Sequence, residues 1–349
     1  MTQQISSTAI VSFTMAALVV LQPTSAPLAS GANPKPFVIQ ALPGLPGSGF
    51  SQAWGINNAG RIVGASATRG TAPHAVRWDG DSITDLGTLG GDSSLALDIN
   101  DRGDVVGYAD VGGGILHAAL WAHGTVTDLG TLGGSKSAAA AINNRGQVVG
   151  WSDVNTAGLS HAFLWEDGVM IDLGTLPEGT AAQSIAWAIN DRGQIVGTSN
   201  AGDESSHAVM WEQRVMIDLG VLPGGRFGSA IGINAQGQIV GVSDLGFHDT
   251  HAFLWQDGAM TDLGNLPGGS DSLARAINNR GEIVGDGRTT TGDIHAVLWQ
   301  RGLTLDLGTV PDGSFFRALD VNSRGEVVGF GFDEDFRTTA VVWTRRPLR

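Results

Sequence analysis

The sequence predicts an all-β protein, a seven-bladed β-propeller with four antiparallel strands in each blade. Three observations support this fold. A unit of about 44 residues occurs seven times in succession. Each unit holds four short segments rich in β-branched and aromatic residues, separated by turn residues. The last unit ends before its fourth segment, and an equivalent segment precedes the first unit, where it would close the ring.

Three short strings define the unit. The first is an Asn–x–x–Gly turn between apolar residues, and its Asn residues are Asn57, Asn100, Asn143, Asn190, Asn234, Asn278 and Asn322. The second is His–Ala–x–x–Trp or a close variant, which ends at Trp78, Trp121, Trp165, Trp211, Trp255, Trp299 and Trp343. The third is Asp–Leu–Gly, which begins at Asp85, Asp128, Asp172, Asp218, Asp262 and Asp306.

The third unit illustrates the four strands. We expect strands a, b, c and d at residues 139–143, 147–152, 161–165 and 170–174. Strands a and b flank the Asn–x–x–Gly turn, in which the Asn side chain caps the turn and Gly takes a positive φ. Strands c and d flank Asp–Gly, which is typical of a tight hairpin. The unit has no period of 3.6 residues, so the pattern excludes helix.

Strand a is predicted to be the innermost strand, next to the axis of the ring. Two residues beyond an invariant Ala it carries only Gly, Ala or Asp, and small residues suit a crowded centre; the alanines are Ala53, Ala96, Ala139, Ala186, Ala230, Ala274 and Ala318. The Trp that ends strand c is expected to be buried between neighbouring blades. All seven indoles would then stabilise the ring by removing apolar surface from water.

The two ends of the repeat region predict how the ring closes. The seventh unit stops after its strand c at residues 339–343, and residues 37–42 supply the missing strand d. Thr339 stands where strand c has His in the other units, and Ala41 stands where strand d has Asp. The joint loss of His and Asp is explained if both positions belong to one blade.

The N-terminal residues 1–32 are predicted to be a signal peptide. They contain an apolar run at residues 9–21, which has the length of a signal-peptide core and is too short to span a bilayer. The usual basic residues before such a run are missing. We therefore expect an extracellular or periplasmic protein, with a linker at 33–36, the propeller at 37–343 and a tail at 344–349.

The composition excludes several classes of partner. The formal net charge of −14 argues against nucleic acid and anionic membrane, because neither surface attracts an acidic protein. No stretch beyond the leader is long enough for a transmembrane helix, so membrane insertion is not expected. The chain has no Cys, which excludes disulfides and thiolate chemistry.

Six units pair a His at the start of strand c with the Asp of strand d. With a tight c–d turn the two side chains are diagonal neighbours on one face, and we predict a buried structural hydrogen bond that fixes the hairpin. The pairs are His74–Asp85, His117–Asp128, His161–Asp172, His207–Asp218, His251–Asp262 and His295–Asp306. No metal site is expected, because Zn²⁺ needs ligands within about 2.3 Å of one point and equivalent residues of a ring lie far apart. No cofactor or catalytic residue is expected, because no nucleophile accompanies the pair.

The strings HAFLW at residues 161–165, DLGTLGG at 85–91 and AINNRGQVVG at 141–150 resemble the bacterial HAF repeat family. The resemblance covers roughly residues 37–343, with Val or Ala in place of the family's Phe in five units. It implies an extracellular repeat protein, in agreement with the predicted leader. It implies no activity and no site residues.

The functional surface is predicted on the face that carries the b–c and d–a loops. These loops differ between units, whereas the a–b and c–d turns repeat, and binding usually resides in variable loops on a rigid scaffold. The residues expected to bind are Arg226, Phe227, Phe247, Phe315 and Phe316. The sequence favours a non-enzymatic binding or scaffold protein whose partner is a protein or a glycan. The alternative is an enzyme that acts on polysaccharide with carboxylates near the axis.

Overall fold

The computed structural model describes residues 37–68, 70–155, 158–176, 182–201, 205–246, 249–309, 315–332 and 337–346. The predicted signal peptide (1–32) and linker (33–36) lie outside these ranges. Every secondary-structure element assigned within these ranges is a β-strand. The strands belong to one compact unit, residues 35–349. Among the described residues no helix has the length and apolarity needed to cross a membrane.

Twenty-eight strands follow one another in the described part of the chain. Strands β1 to β13 are Phe37–Ala41, Phe50–Ile56, Ile62–Ala67, His74–Asp79, Ser82–Asp85, Ser94–Ile99, Val105–Asp110, Leu116–Ala122, Thr125–Asp128, Ser137–Ile142, Val148–Asp153, Ser160–Glu166 and Val169–Asp172. Strands β14 to β21 are Ser184–Ile189, Ile195–Asn200, Ser206–Glu212, Val215–Gly220, Gly228–Ile233, Ile239–Asp244, Thr250–Gln256 and Ala259–Asp262. Strands β22 to β28 are Ser272–Ile277, Ile283–Arg288, Ile294–Gln300, Leu303–Asp306, Phe316–Val321, Val327–Phe332 and Thr338–Arg345.

The strands form antiparallel sheets that follow the repeat. Five sheets have four strands each: β6–β9, β10–β13, β14–β17, β18–β21 and β22–β25. The sixth sheet has eight strands, in which β2–β5 and the group β26, β27, β28 and β1 are joined by one parallel residue pair, Phe50 and Thr338. In every unit strand a contacts strand a of the next unit, and the series returns from β26 to β2. The expectation that strand a is innermost is therefore confirmed.

The turns have the predicted chemistry. In the third unit the Oδ1 atom of Asn143 accepts hydrogen bonds from the amides of Arg145 and Gln147, each at 3.0 Å. Gly146 has a φ of 86°. At the c–d turn Asp167 and Gly168 both have positive φ, which matches the right-handed twist of a hairpin.

The same Asn residues also link the units into a closed ring, a role that the chemistry of a single turn does not predict. Each Asn donates a hydrogen bond from Nδ2 to the main-chain oxygen of the Asn in the next unit, at 2.9 to 3.2 Å. The last bond runs from Asn322 to the oxygen of Asn57 and completes the circle. All seven Asn residues are buried, so these bonds are shielded from water.

The N-terminal strand closes the last unit as predicted. Strand β1 pairs with β28, and Ala41 lies opposite Val341. This is the register in which Asp172 lies opposite Phe163 in the third unit. The boundary between propeller and tail at residue 343 is wrong, because β28 continues to Arg345, which pairs with Phe37 and lies over its ring at 5.1 Å.

The core consists of seven clusters between neighbouring units, and the invariant alanines of strand a are fully buried in it. Each strand a has a β-bulge just after this Ala. Strand b of each unit carries a Gly after two β-branched residues, as in Val148–Val149–Gly150, and this Gly lies opposite the bulge. A Cβ at Gly150, for example, would collide with the carbonyl oxygen of Ala138, so only Gly fits.

The expectation that all seven indoles are buried between blades is wrong for two units. Trp165 and Trp255 are only partly buried, whereas the five others are buried. These two units are the ones with Phe two residues earlier, and Phe163 and Phe253 are fully buried. Both side chains project from one face of strand c, so the Phe ring occupies interior volume and the indole is displaced outward.

Candidate functional site

Three positions on strands a and b differ from unit to unit, although their neighbours repeat. Two of them flank the invariant Ala on strand a, and the third lies on strand b. The position before the Ala holds Gln52, Leu95, Ala138, Ile185, Ser229, Leu273 and Arg317. The position after the Ala holds Trp54, Leu97, Ala140, Trp187, Ile231, Arg275 and Leu319. The position on strand b holds Ala65, Tyr108, Trp151, Thr198, Val242, Asp286 and Phe330.

Two aromatic side chains at these positions, Trp54 and Phe330, meet further aromatic rings in the eight-stranded sheet. The ring of Trp54 lies 6.1 Å from that of Phe330, measured between centroids. Phe330 lies 6.2 Å from Phe315, which in turn stacks on Phe332 at 4.8 Å. The contacts connect the first and seventh units, which are distant in sequence.

Charged side chains extend this aromatic group into the sixth unit. Arg275 Nε lies 2.6 Å from the carboxylate of Asp286, and Arg317 Nε lies 3.8 Å from the other oxygen of the same carboxylate. The guanidinium of Arg317 also lies over the ring of Phe315 at 5.0 Å, within range of a cation–π interaction. We call Trp54, Arg275, Asp286, Phe315, Arg317 and Phe330 the mouth cluster.

Arg317 is incompletely paired. Its side chain is only 19% exposed, and its buried Nε has no hydrogen-bond partner among the residues that the structure describes. Burial lowers the pKa of Arg317, the Asp286 carboxylate opposes this shift, and Arg275 and Arg288 lower the pKa further. A buried charged donor without a partner is costly, so the site favours an anionic group beside Arg317.

One end of the mouth cluster lies at the loop end of the inner strands. Phe315 directly precedes β26, in the d–a connection, and Phe332 is the last residue of β27, where the b–c connection begins. Arg317 is the second residue of β26. The cluster therefore reaches from the predicted functional face into the central part of the ring.

Two carboxylates lie deeper on the inner strands. Asp98 and Asp320 occupy the small-residue position just beyond the bulge. Asp320 accepts hydrogen bonds from the amides of Ile56 and Val321 at 2.8 and 2.7 Å, and Asp98 accepts equivalent bonds from Ile142 and Ile99. Burial raises the pKa of Asp98, and burial together with repulsion by Asp98 raises the pKa of Asp320 to about 7.

Of the five residues predicted to bind, four lie among the described residues, and the structure does not bring these four together in one site. Phe315 belongs to the mouth cluster. Phe227 is 52% exposed, and its amide and that of Arg226 both donate to Asp244 Oδ1, at 2.8 and 2.7 Å. Phe247 lies outside the described residues.

The choice of Phe316 as a binding residue is wrong. Its side chain is 1% exposed and packs edge-on against Trp343. Successive side chains of a strand face opposite sides, so Phe315 and Phe316 cannot both lie on the side of the mouth cluster. Other units have a buried Ser at this position, such as Ser94 and Ser137.

The six His–Asp pairs are hydrogen-bonded. Each His Nδ1 lies 2.8 to 2.9 Å from the Asp carboxylate. The other carboxylate oxygen accepts from the amide of the Gly two residues later, at 2.7 to 2.8 Å. The prediction that these bonds are buried is wrong, because the Asp side chains are 38 to 43% exposed. The Asp residues lie on strand d, which is the edge strand of its sheet among the described residues. Among the described residues no three His, Cys, Asp or Glu side chains are placed to hold a metal ion.

Comparison with known proteins identifies the fold. No protein-family description matches the sequence, and no curated protein matches it. The propeller domain of the trilobed protease from Pyrococcus furiosus, reported to have an open velcro topology, is similar in structure (TM-score 0.58, 8% identity), with 84% of this chain and 96% of that chain covered. Acylaminoacyl peptidase from Pyrococcus horikoshii is also similar (TM-score 0.54, 9% identity), with 84% and 51% covered.

TolB from Acinetobacter baumannii has a TM-score of 0.46 and 11% identity. The match covers 81% of this chain and 63% of TolB, so the chain spans less than two thirds of that protein. Together with the strand arrangement, the two structures with the higher TM-scores establish that the chain is a β-propeller.

Proposed function

We propose that this chain is an exported, non-enzymatic binding protein that takes an acidic group of its ligand at the mouth cluster. The ligand is a protein or a glycan that approaches the face of the b–c and d–a loops. The observation that carries the proposal is Arg317, a largely buried guanidinium whose Nε has no partner among the described residues. A ligand carboxylate would provide the missing acceptor.

The charges of the mouth cluster support an anionic ligand. Arg275 and Arg317 share the single carboxylate of Asp286, which leaves one positive charge without compensation inside the cluster. The formal net charge of the chain is −14, so the charge of this cluster is opposite in sign to that of the chain as a whole. Trp54, Phe315 and Phe330 add apolar surface beside the charge, a combination common in binding pockets.

We also propose that the propeller has seven blades. The eight-stranded sheet is counted as two blades, since a single residue pair joins its halves, and the chain then has seven blades. The closed circle of seven Asn hydrogen bonds supports this count. The HAF-type strings and the apolar leader support a place among extracellular repeat proteins, outside the cytoplasm.

The ligand hypothesis is tested with an array that carries acidic glycans, neutral glycans and peptides with free C-terminal carboxylates. We expect the full chain to bind the acidic probes and Arg317→Gln to weaken that binding about 10- to 100-fold, since a charge-assisted hydrogen bond contributes about 1.5–3 kcal/mol. Arg288→Gln is the matched control, because Arg288 already pairs with Asp271 and with the oxygen of Gly292. Unchanged binding by Arg317→Gln, or selection of neutral probes only, would overturn the proposal.

A second candidate function is polysaccharide hydrolysis at the axis. It is favoured by one observation, the pair of half-buried carboxylates Asp98 and Asp320, of which Asp320 has a pKa raised to about 7. A raised pKa is what a general acid requires. Each carboxylate is nevertheless held by two backbone amides, which suits a structural role better. Release of reducing ends from polysaccharides by the wild-type chain, lost in Asp320→Asn, would favour the enzyme.

A further inference from the structure

One a–b turn breaks the pattern of the turn face, which is the face opposite the loops. In six units an Arg at this turn lies directly against the turn Gly of the next unit; Arg192, for example, lies against Gly237. The fifth unit has Gln236 and Gln238 at the two positions where Arg occurs in other units. Around Gly281, the turn Gly of the sixth unit, no atom lies within 4 Å of the place that a Cβ would occupy. The missing Arg leaves an open groove.

This groove, the turn groove, has a volume of about 770 Å³. Its lining includes Trp255, Met210, Gln236 and Gly281. Trp255 is one of the two indoles that the neighbouring Phe displaces outward, so an aromatic surface is available at the very place where Arg is missing. Two independent departures from the repeat therefore coincide in one unit.

The polar groups of the turn groove are held in fixed orientations. Gln238 Nε2 donates to Gln256 Oε1 at 2.7 Å, and its own Oε1 accepts from Asn234 at 2.6 Å. Gln194 Nε2 donates to Glu212 Oε1 at 2.8 Å. Side-chain amides both donate and accept, so this lining suits a ligand that offers many hydroxyl groups.

The charges of the turn groove balance. Arg192 and Arg280 contribute two positive charges, and Glu212 and Asp257 contribute two negative ones. A lining with equal numbers of positive and negative side chains has no net charge that would attract a strongly charged ligand. A neutral ligand with an apolar face for the indole and hydroxyls for the amides fits it best, and a sugar ring has both surfaces.

We propose that the turn groove binds a neutral oligosaccharide, with one sugar ring stacked on Trp255. The site goes beyond the proposed function, because it lies on the opposite face from the mouth cluster and shares no residue with it. A protein with both sites has two separate binding surfaces, one for an acidic ligand and one for a neutral glycan.

The test uses the full chain and a panel of neutral oligosaccharides derived from glucan, mannan, galactan and chitin, with binding measured by calorimetry. We expect at least one of them to bind. Gln236→Arg restores the repeated side chain, which should cover Gly281 and weaken this binding at least tenfold. Trp255→Ala should weaken it at least tenfold by removing the stacking surface.

The matched control is Trp165→Ala. Trp165 is also partly buried beside a Phe, but Arg145 of its unit lies against Gly193, so that groove is filled. We expect Trp165→Ala to bind like the wild type, and Arg317→Gln to leave saccharide binding unchanged while it weakens binding of acidic probes. Failure of every oligosaccharide to bind the wild type at about 10 mM, or equal binding by folded Gln236→Arg, would overturn the proposal.

Discussion

Replacing one of the ring asparagines should reveal how much the inter-unit hydrogen bonds stabilise the propeller. Asn143 is buried and makes four hydrogen bonds: it accepts from the amides of Arg145 and Gln147, and donates to Gln147 Oε1 and to the oxygen of Asn190. A typical hydrogen bond contributes about 0.5–1.5 kcal/mol net, and a buried group left without a partner costs about 1–3 kcal/mol. We therefore expect Asn143→Ala to lower the free energy of unfolding by about 3–5 kcal/mol.

The adjacent Asn144 provides the control. It also contacts the next unit, through Nδ2 to Asp191 at 3.0 Å, but it is exposed. Asn144→Ala should cost less than about 1 kcal/mol, because water replaces the lost partner. Urea denaturation followed by tryptophan fluorescence measures both values. Equal losses for the two variants would refute the view that buried Asn links hold the units together.

Three further predictions concern closure, the hairpins and the axis. Deleting residues 37–45 should lower the unfolding temperature more than deleting 347–349, because it uncovers β28 and removes the buried Phe37; equal temperatures would contradict closure by β1. In a double-mutant cycle, His161→Ala and Asp172→Ala should couple by about 0.5–1 kcal/mol, a modest value because the pair is partly exposed, and additive effects would show no interaction. The pKa of Asp320 is raised from 3.8 in the unfolded chain to about 7 in the folded state, so the folded state holds this proton more tightly. The protonated carboxyl therefore contributes fully to the free energy of unfolding below about pH 4, and the contribution is lost as the pH rises to about 7. Asp320→Asn should flatten the fall in stability between pH 5 and 7, and an unchanged slope in urea titrations would contradict the assignment.

Much of the fold was predictable because the unit repeats. The turn roles of Asn143 and Gly146 follow from local turn chemistry, and the shared loss of His and Asp at Thr339 and Ala41 predicted which strands pair. Contacts between units were not predictable from one unit read alone. The Asn link to the next unit and the displacement of Trp165 by Phe163 both depend on the neighbouring sheet.

The candidate site was only partly predictable. Variation between the loops predicts Phe315 as a binding residue, but it equally predicts Phe316, whose position holds a buried Ser in five of the other six units. Trp54 and Arg317 lie on strands β2 and β26, so variation between loops does not predict them. A signal was present, since a position-by-position comparison of the seven units shows that these positions vary while their neighbours do not.

The most direct test of the central claim is to exchange the non-repeated residues for residues found at the same positions in other units. The variant carries Trp54→Leu, Arg275→Leu, Asp286→Val, Arg317→Leu and Phe330→Val, and it is compared with the wild type by thermal unfolding and on the array of acidic and neutral probes. If repeated residues build the ring and non-repeated residues bind the ligand, the variant will unfold at a temperature close to that of the wild type and will lose the acidic probes. A variant that unfolds, or a folded variant that still binds the acidic probes, would contradict this division.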